Sequence, residues 1–292
     1  MCQQAIDAAE TTRPVAPVAN PHELQTAFDE VESPSSPLTG EKFGQYTSCF
    51  HHFDGLHSTI YKSKAADGAV RAVKITVPHL MTAPHDAHRE ARLLREASGT
   101  HIIPLVETFN LDGGRLVLVF PFLRHDCEHL LRRGMVTATQ IRSILRDLFQ
   151  ALAHIHSLGI IHRDIKPSNI LLDSPDGPAY LADFGISWKE GDPGSEPADQ
   201  KITDVGTTCY RPPEILFGYR KYGTALDLWA AGCVVTEAIA VGHKQLFDSG
   251  PVGSDLSLIF SIFQTLGTPD QDTWPVSFLS HVDVQELGMT SV

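Results

Sequence analysis

The stretch Ile161-His162-Arg163-Asp164-Ile165-Lys166-Pro167-Ser168-Asn169, followed downstream by Asp183-Phe184-Gly185, constrains this chain more than any other feature. The Asp164 carboxylate can orient an attacking hydroxyl and accept its proton. The amide of Asn169 and the carboxylate of Asp183 can hold Mg²⁺ between phosphates. Lys166 can neutralise charge on the transferred group. These are the residue types that phosphoryl transfer from ATP requires.

Composition bounds the remaining possibilities. The 292 residues allow one large domain or two lobes with a sizeable core. Apolar residues make up 42% and charged residues 20%, an ordinary globular mix. A net charge of −12 argues against nonspecific nucleic-acid or anionic-membrane binding. Five scattered cysteines with no CxxC pair suggest neither a disulfide framework nor a zinc site, and fit a reducing compartment. With no membrane-length apolar run and no signal-peptide pattern, a cytoplasmic or nuclear protein is expected. Six histidines (His51, His52, His57, His79, His85 and His88) crowd residues 51–88. They lack metal-ligand spacing and read as solvated surface.

The chain divides by pattern. Residues 1–45 are rich in Pro, Ala, Ser and Glu and read as a disordered tail, with a short helix over 22–31 and two Ser-Pro sites. Residues 46–123 are strand-rich: 69–75 alternates, and 116–120 is a buried-type strand. Between them, 85–97 has helical spacing, with Ala87, Ala91, Leu94 and Ala97 on one side. Helices dominate 124–276, notably 139–158, ended by Gly159, and 225–240. Residues 277–292 have no assignment.

The two opening blocks resemble the catalytic and metal-binding loops of eukaryotic protein kinases. Asp227-Leu228-Trp229-Ala230-Ala231-Gly232-Cys233 and Thr265-Leu266-Gly267-Thr268-Pro269-Asp270, with Trp274-Pro275, place the resemblance in the cyclin-dependent-kinase branch, over residues 46–276. It implies an α+β, bilobal protein-kinase fold, with a small β-rich N-lobe (46–123) and a helical C-lobe (124–276). It also implies Lys74 on a strand reaching the nucleotide phosphates, steered by Glu90 on the following helix. Leu118-Val119-Phe120-Pro121-Phe122-Leu123-Arg124-His125-Asp126 resembles the family's hinge. Phe120 would gate the pocket behind adenine. The backbone of Pro121 and Leu123 would bond the base, and Asp126 would face the ribose. Ile60, Ala72 and Leu171 would sandwich the ring. Thr207 would hydrogen-bond the catalytic loop beside Asp164 and Lys166, the serine/threonine rather than tyrosine pattern. Asp227 would brace that loop. ATP and Mg²⁺ are the implied cofactors.

The sequence departs from the family in three places. Where the family has a G-x-G-x-x-G-x-V loop, Phe53-Asp54-Gly55-Leu56-His57-Ser58-Thr59-Ile60 keeps only Gly55 and the aliphatic Ile60. Losing glycines stiffens a loop that must approach phosphates, so weaker ATP binding is expected. His88 replaces the isoleucine that the family packs against cyclin. Three family arginines clamp an activating phosphothreonine. The matching positions here read Arg89, Arg163 and Trp188, and the threonine position reads Ile202, with Thr203 beside it. This combination resembles the monomeric cyclin-dependent-kinase-activating kinases of fungi. It implies a monomer that needs no cyclin and phosphorylates another kinase's activation segment. Gly206 lies where the family shapes its pocket for proline, leaving proline direction open.

The chain stops shortly after Pro275, where family members continue, so the C-lobe is expected to be incomplete and Glu214 to lack its arginine. Two alternatives follow: a pseudokinase or scaffold, and a cyclin-regulated kinase of the same branch. Against the pseudokinase, Lys74, Glu90, Asp164, Lys166, Asn169 and Asp183 are all present.

Overall fold

The computed structural model describes residues 40–269. The 22–31 helix, the Ser-Pro sites, Trp274-Pro275 and the 277–292 segment lie outside the described residues. The N-terminal half of the described chain is an antiparallel sheet. Its strands are β1 (Glu41–Phe43), β2 (Tyr46–Asp54), β3 (Ser58–Lys64), β4 (Val70–Thr76), β5 (Glu107–Leu111) and β6 (Arg115–Pro121), in the order β1-β2-β3-β4-β6-β5. Strand β1 pairs with β2, so the sheet takes in Glu41–Phe43, which read as tail in the sequence.

Helix α1 (Ala87–Glu96) lies between β4 and β5 in the chain. Asp86 caps it by accepting a hydrogen bond from the Arg89 N–H at 2.9 Å. The apolar side foreseen from spacing is the one that packs: Ala87, Ala91, Leu94 and Ala97 are all buried. Arg89 and Glu90 are buried beside them.

The C-terminal half is helical, with two small sheets. After β7 (His125–Asp126) come α2 (Cys127–Arg132) and α3 (Ala138–Ser157). A reciprocal cap between Thr137 and Gln140 starts α3, and Gly159 at φ +72° follows its end. Strands β8 (Ile160–Ile161), β9 (Ile170–Leu172), β10 (Ala179–Leu181) and β11 (Trp188–Lys189) form the sheets β10-β9-β7 and β11-β8. Helices α4 (Pro213–Leu216), α5 (Ala225–Ile239) and α6 (Asp255–Leu266) complete the described chain. Apolar positions of α1, α3, α5 and α6 share one core with β9 and β10. Each fully buried leucine there, such as Leu93, Leu148 or Leu258, contributes about 1.5–3 kcal/mol. That core carries the loop between β8 and β9. The arrangement is the α+β, two-lobed one expected.

Candidate active site

Sheet register decides what faces the helical half. Directly paired residues share a face. The pairs Ile60–Lys74, Ala72–Phe120 and Lys74–Leu118 therefore put Ile60, Ala72, Lys74, Leu118 and Phe120 on one side. Leu118 joins the main core and Phe120 packs against it, so this is the side toward the helical half. Val73, Ile75, Val117 and Val119 take the opposite side, with Phe43, Tyr46 and Cys49. Across the cleft, Leu171 on β9 pairs with Asp126 on β7. Asp126 spends one carboxylate oxygen on capping α2, accepting from the His129 N–H at 2.8 Å. In the hinge, the Phe122 N–H goes to the Val70 carbonyl at 3.1 Å. The Leu123 N–H has no acceptor among the described residues.

Lys74 joins the two lobes. Its ammonium lies 2.7 and 2.9 Å from the two Glu90 oxygens and 3.1 Å from Asp183 Oδ1. Burial works against the lysine's charge, but Asp183 and Glu90 outweigh it and its pKa rises. Burial raises the Glu90 pKa, an effect that the lysine ammonium against both its oxygens partly offsets. Lys74 holds the Asp183 carboxyl down to about 2, against the opposing effect of burial. The Asp183 carboxylate is half exposed, open to the cleft.

The catalytic loop packs around Asp164. Thr207 donates to its Oδ1 at 2.8 Å, Lys166 reaches its Oδ2 at 2.8 Å, and Lys166 also donates to Thr207 at 3.0 Å. The Asn169 amide nitrogen donates to the Asp164 carbonyl at 2.8 Å and to Oδ2 at 3.1 Å. That leaves the Asn169 amide oxygen, with the Asp183 carboxylate, as a pair of hard oxygen donors. Magnesium takes such a pair when the remaining positions go to water and phosphate, so the residues fit a magnesium nucleotide.

Buried Asp227 on α5 supports the loop from below. It accepts from the His162 N–H at 2.8 Å, the Arg163 N–H at 2.9 Å and the His156 ring at 2.8 Å. These bonds hold Arg163 at φ +70°, a left-handed conformation rare outside glycine. His162 is fully buried, bonding the Ala182 carbonyl at 3.0 Å and packing edge-on against Phe184.

A family model described as a protein kinase domain matches residues 54–278. The chain belongs to the protein kinase family. Two relatives place it in the cyclin-dependent-kinase-like branch of the serine/threonine kinases. Cyclin-dependent kinase 7 of Xenopus laevis is 37% identical over 230 residues, covering 76% of this chain and 62% of the relative. Serine/threonine-protein kinase csk1 of Schizosaccharomyces pombe is 34% identical over 234 residues, covering 78% of this chain and 75% of the relative. The chain thus spans less than two thirds of the Xenopus kinase's length.

The glycine-poor loop of this kinase is a tight turn. Gly55 N–H bonds the Ser58 carbonyl at 2.7 Å, and Phe53, half exposed, pairs with Ile60. His57 at its tip packs against His85, with ring centroids 4.3 Å apart and the ring planes tilted by 58°. Burial, then His57, lowers the His85 pKa. The histidine cluster therefore includes a packed pair at the cleft as well as exposed rings such as His88.

The kinase's activation segment grips α1. Arg92 forms a two-pronged pair with Asp192 at 2.9 and 2.8 Å, Arg89 donates to the Gly194 carbonyl, and Glu96 pairs with Lys189. The Asp86 N–H bonds the Gly185 carbonyl at 3.1 Å. Among the clamp positions, Arg163 pairs with Glu196, and the Trp188 ring donates to the Glu196 carbonyl at 2.9 Å. Ile202 packs beside Val205, Ile215, Tyr222 and Leu226. Arg92, Asp192 and Glu196 carried no signal in the sequence, because their partners lie 100 and 33 residues away and no motif contains them. Glu214 has no cationic partner among the described residues, and burial raises its pKa.

Proposed function

We propose that this chain is a serine/threonine kinase that phosphorylates the activation segment of another kinase and works without a cyclin. The observation that carries this reading is the grip of the activation segment on α1. Those contacts support α1 in the position where Glu90 meets Lys74. His88, where the resemblance puts a cyclin-facing isoleucine, is exposed.

When bound, magnesium ATP supplies the phosphoryl donor and screens its charge. Ile60, Ala72 and Leu171 would enclose the adenine, and the Pro121 carbonyl and Leu123 N–H would bond its edge. Asp126 keeps one carboxylate oxygen for the ribose. Lys74, fixed by Glu90, would position the phosphates, while Asp183 and Asn169 would hold the cation. Asp164 would orient the substrate hydroxyl and take its proton as the hydroxyl oxygen bonds the γ-phosphorus and the bond from that phosphorus to the β–γ bridging oxygen breaks, with ADP as the leaving group. Lys166 neutralises the transferred group, and Thr207 fixes both Asp164 and Lys166.

The test is Mg²⁺-dependent transfer to a catalytically dead cyclin-dependent kinase with no cyclin added, with Asp164→Asn as control. Transfer by wild type and not by the variant supports the reading. Absence of transfer by folded wild type would favour a scaffold, and transfer only after a cyclin is added would favour a cyclin-regulated kinase. No helix among the described residues is long and apolar enough to cross a membrane.

A further inference from the structure

Arg163 precedes the proposed catalytic base, is fully buried, and has a strained backbone. A guanidinium in that position is costly unless an opposite charge meets it. Its Nε donates to the Ile186 carbonyl at 2.5 Å, and its Nη1 lies 3.1 and 3.3 Å from the two Glu196 oxygens and 3.2 Å from the Tyr222 hydroxyl. Its Nη2 is buried without a hydrogen-bond partner among the described residues. Carbonyl and hydroxyl satisfy N–H groups, but among the described residues Glu196 is the carboxylate that pairs with this charge.

Glu196 is itself held in place. Its carbonyl accepts from Trp188, and the neighbouring Ser195 hydroxyl accepts the Lys189 N–H at 3.2 Å. Tyr222 carries the network onward by donating to the Ile202 carbonyl at 2.5 Å, a few residues before Thr207. Thr207 in turn bonds Asp164. The activation segment therefore returns to the catalytic loop through two routes that both start at Arg163.

We propose that Glu196 is a positioning residue, a built-in counter-charge for Arg163 that sets Asp164 in place with no phosphate on the activation segment. The proposal rests on the kinase reading for its catalytic readout only. Glu196→Gln keeps the shape and removes the charge. At saturating substrate its kcat should fall about 30-fold or more, with KM for ATP within about twofold, because the nucleotide contacts lie elsewhere. Glu196→Asp should recover most of the rate. Glu190→Gln, an exposed charge on the same segment, should leave it unchanged. Hydrogen exchange over residues 189–207 should quicken in Glu196→Gln and not in Glu190→Gln. Unchanged kcat and exchange in Glu196→Gln would overturn the proposal, as would a loss of thermal stability alone with kcat intact. Should Glu196→Gln fail to fold, Arg163→Gln/Glu196→Gln removes the orphaned charge and should fold; a double variant equally unfolded would also overturn it. A wild type that transfers no phosphate refutes the kinase reading, and the exchange comparison still decides the role of Glu196.

Discussion

Asp227→Asn is the sharpest probe of how the fold strains the catalytic loop. Asp227 is fully buried and accepts three hydrogen bonds, two of them from the backbone of His162 and Arg163. Asparagine offers one acceptor oxygen, and its NH₂ must face a donor that was bonded to Oδ1 or Oδ2. Hydrogen bonds to an ionised group contribute about 1.5–3 kcal/mol, and a stranded buried N–H costs about 1–3 kcal/mol. Losing one bond and stranding one donor gives about 2.5–6 kcal/mol of destabilisation. The φ +70° of Arg163 costs about 1–3 kcal/mol and persists only while its surroundings enforce it. With the brace gone, Arg163 relaxes and carries the adjacent Asp164 with it. A displacement of about 1 Å costs about 100-fold in rate.

Urea unfolding followed by circular dichroism should show the midpoint falling with the slope unchanged. Transfer assays on the folded variant should show kcat down about 100-fold and KM for ATP within about threefold. A stability loss under about 1 kcal/mol would refute the hydrogen-bond argument. Full destabilisation with kcat intact would refute the link from the brace to Asp164.

Two further outcomes follow from the site. Phe53→Gly/Ser58→Gly, restoring glycines to the loop after β2, should lower KM for ATP about three- to tenfold by letting the backbone approach the phosphates; an unchanged KM would mean that the turn at Gly55 already permits that approach. Lys74 and Asp183 predict a flat pH response. Asp183, depressed from 3.8 to about 2, contributes stability present above its unfolded value and lost as pH falls through about 2. Lys74 is raised, so its contribution is complete below its ordinary 10.5 and is lost only above that. Binding of magnesium nucleotide, followed by fluorescence titration, should not inflect between about pH 6.5 and pH 9, and an inflection there would mean that the Lys74–Asp183 contact is absent.

The parts of this site that could be read in the sequence are those in which chemistry is packed into short, contiguous blocks. Asp164, Lys166 and Asn169 lie within one loop between β8 and β9, and their mutual bonds follow from that closeness. Lys74 and Glu90 could be paired from the family resemblance and not from periodicity, since each alone reads as a solvated charge; strand β4 and helix α1 bring them together. The start of β1 escaped notice because three residues between polar stretches carry too short a pattern to show alternation; pairing with β2 decides their state. The Glu196–Arg163 and Asp192–Arg92 pairs escaped for a different reason. Each joins segments whose separation in the chain gives no local periodicity, and a carboxylate among several in a loop looks like a solvated charge until the fold selects one.

The same contrast explains how the parts of the site differ physically. The residues proposed to face the nucleotide are placed by regular structure, since sheet register alone aligns Ile60, Ala72, Lys74 and Phe120. Asp164, proposed to face the substrate hydroxyl, is placed by polar bonds to and from irregular backbone: Asp227 from below, Thr207 and the Arg163 network from the side. Register is enforced by a whole hydrophobic face and is hard to shift by one substitution. A polar brace depends on individual atoms, each contributing a few kcal/mol. Single changes around Asp164 should therefore act on kcat, while changes to nucleotide affinity should require altering the loop between β2 and β3, where the sheet's regularity runs out.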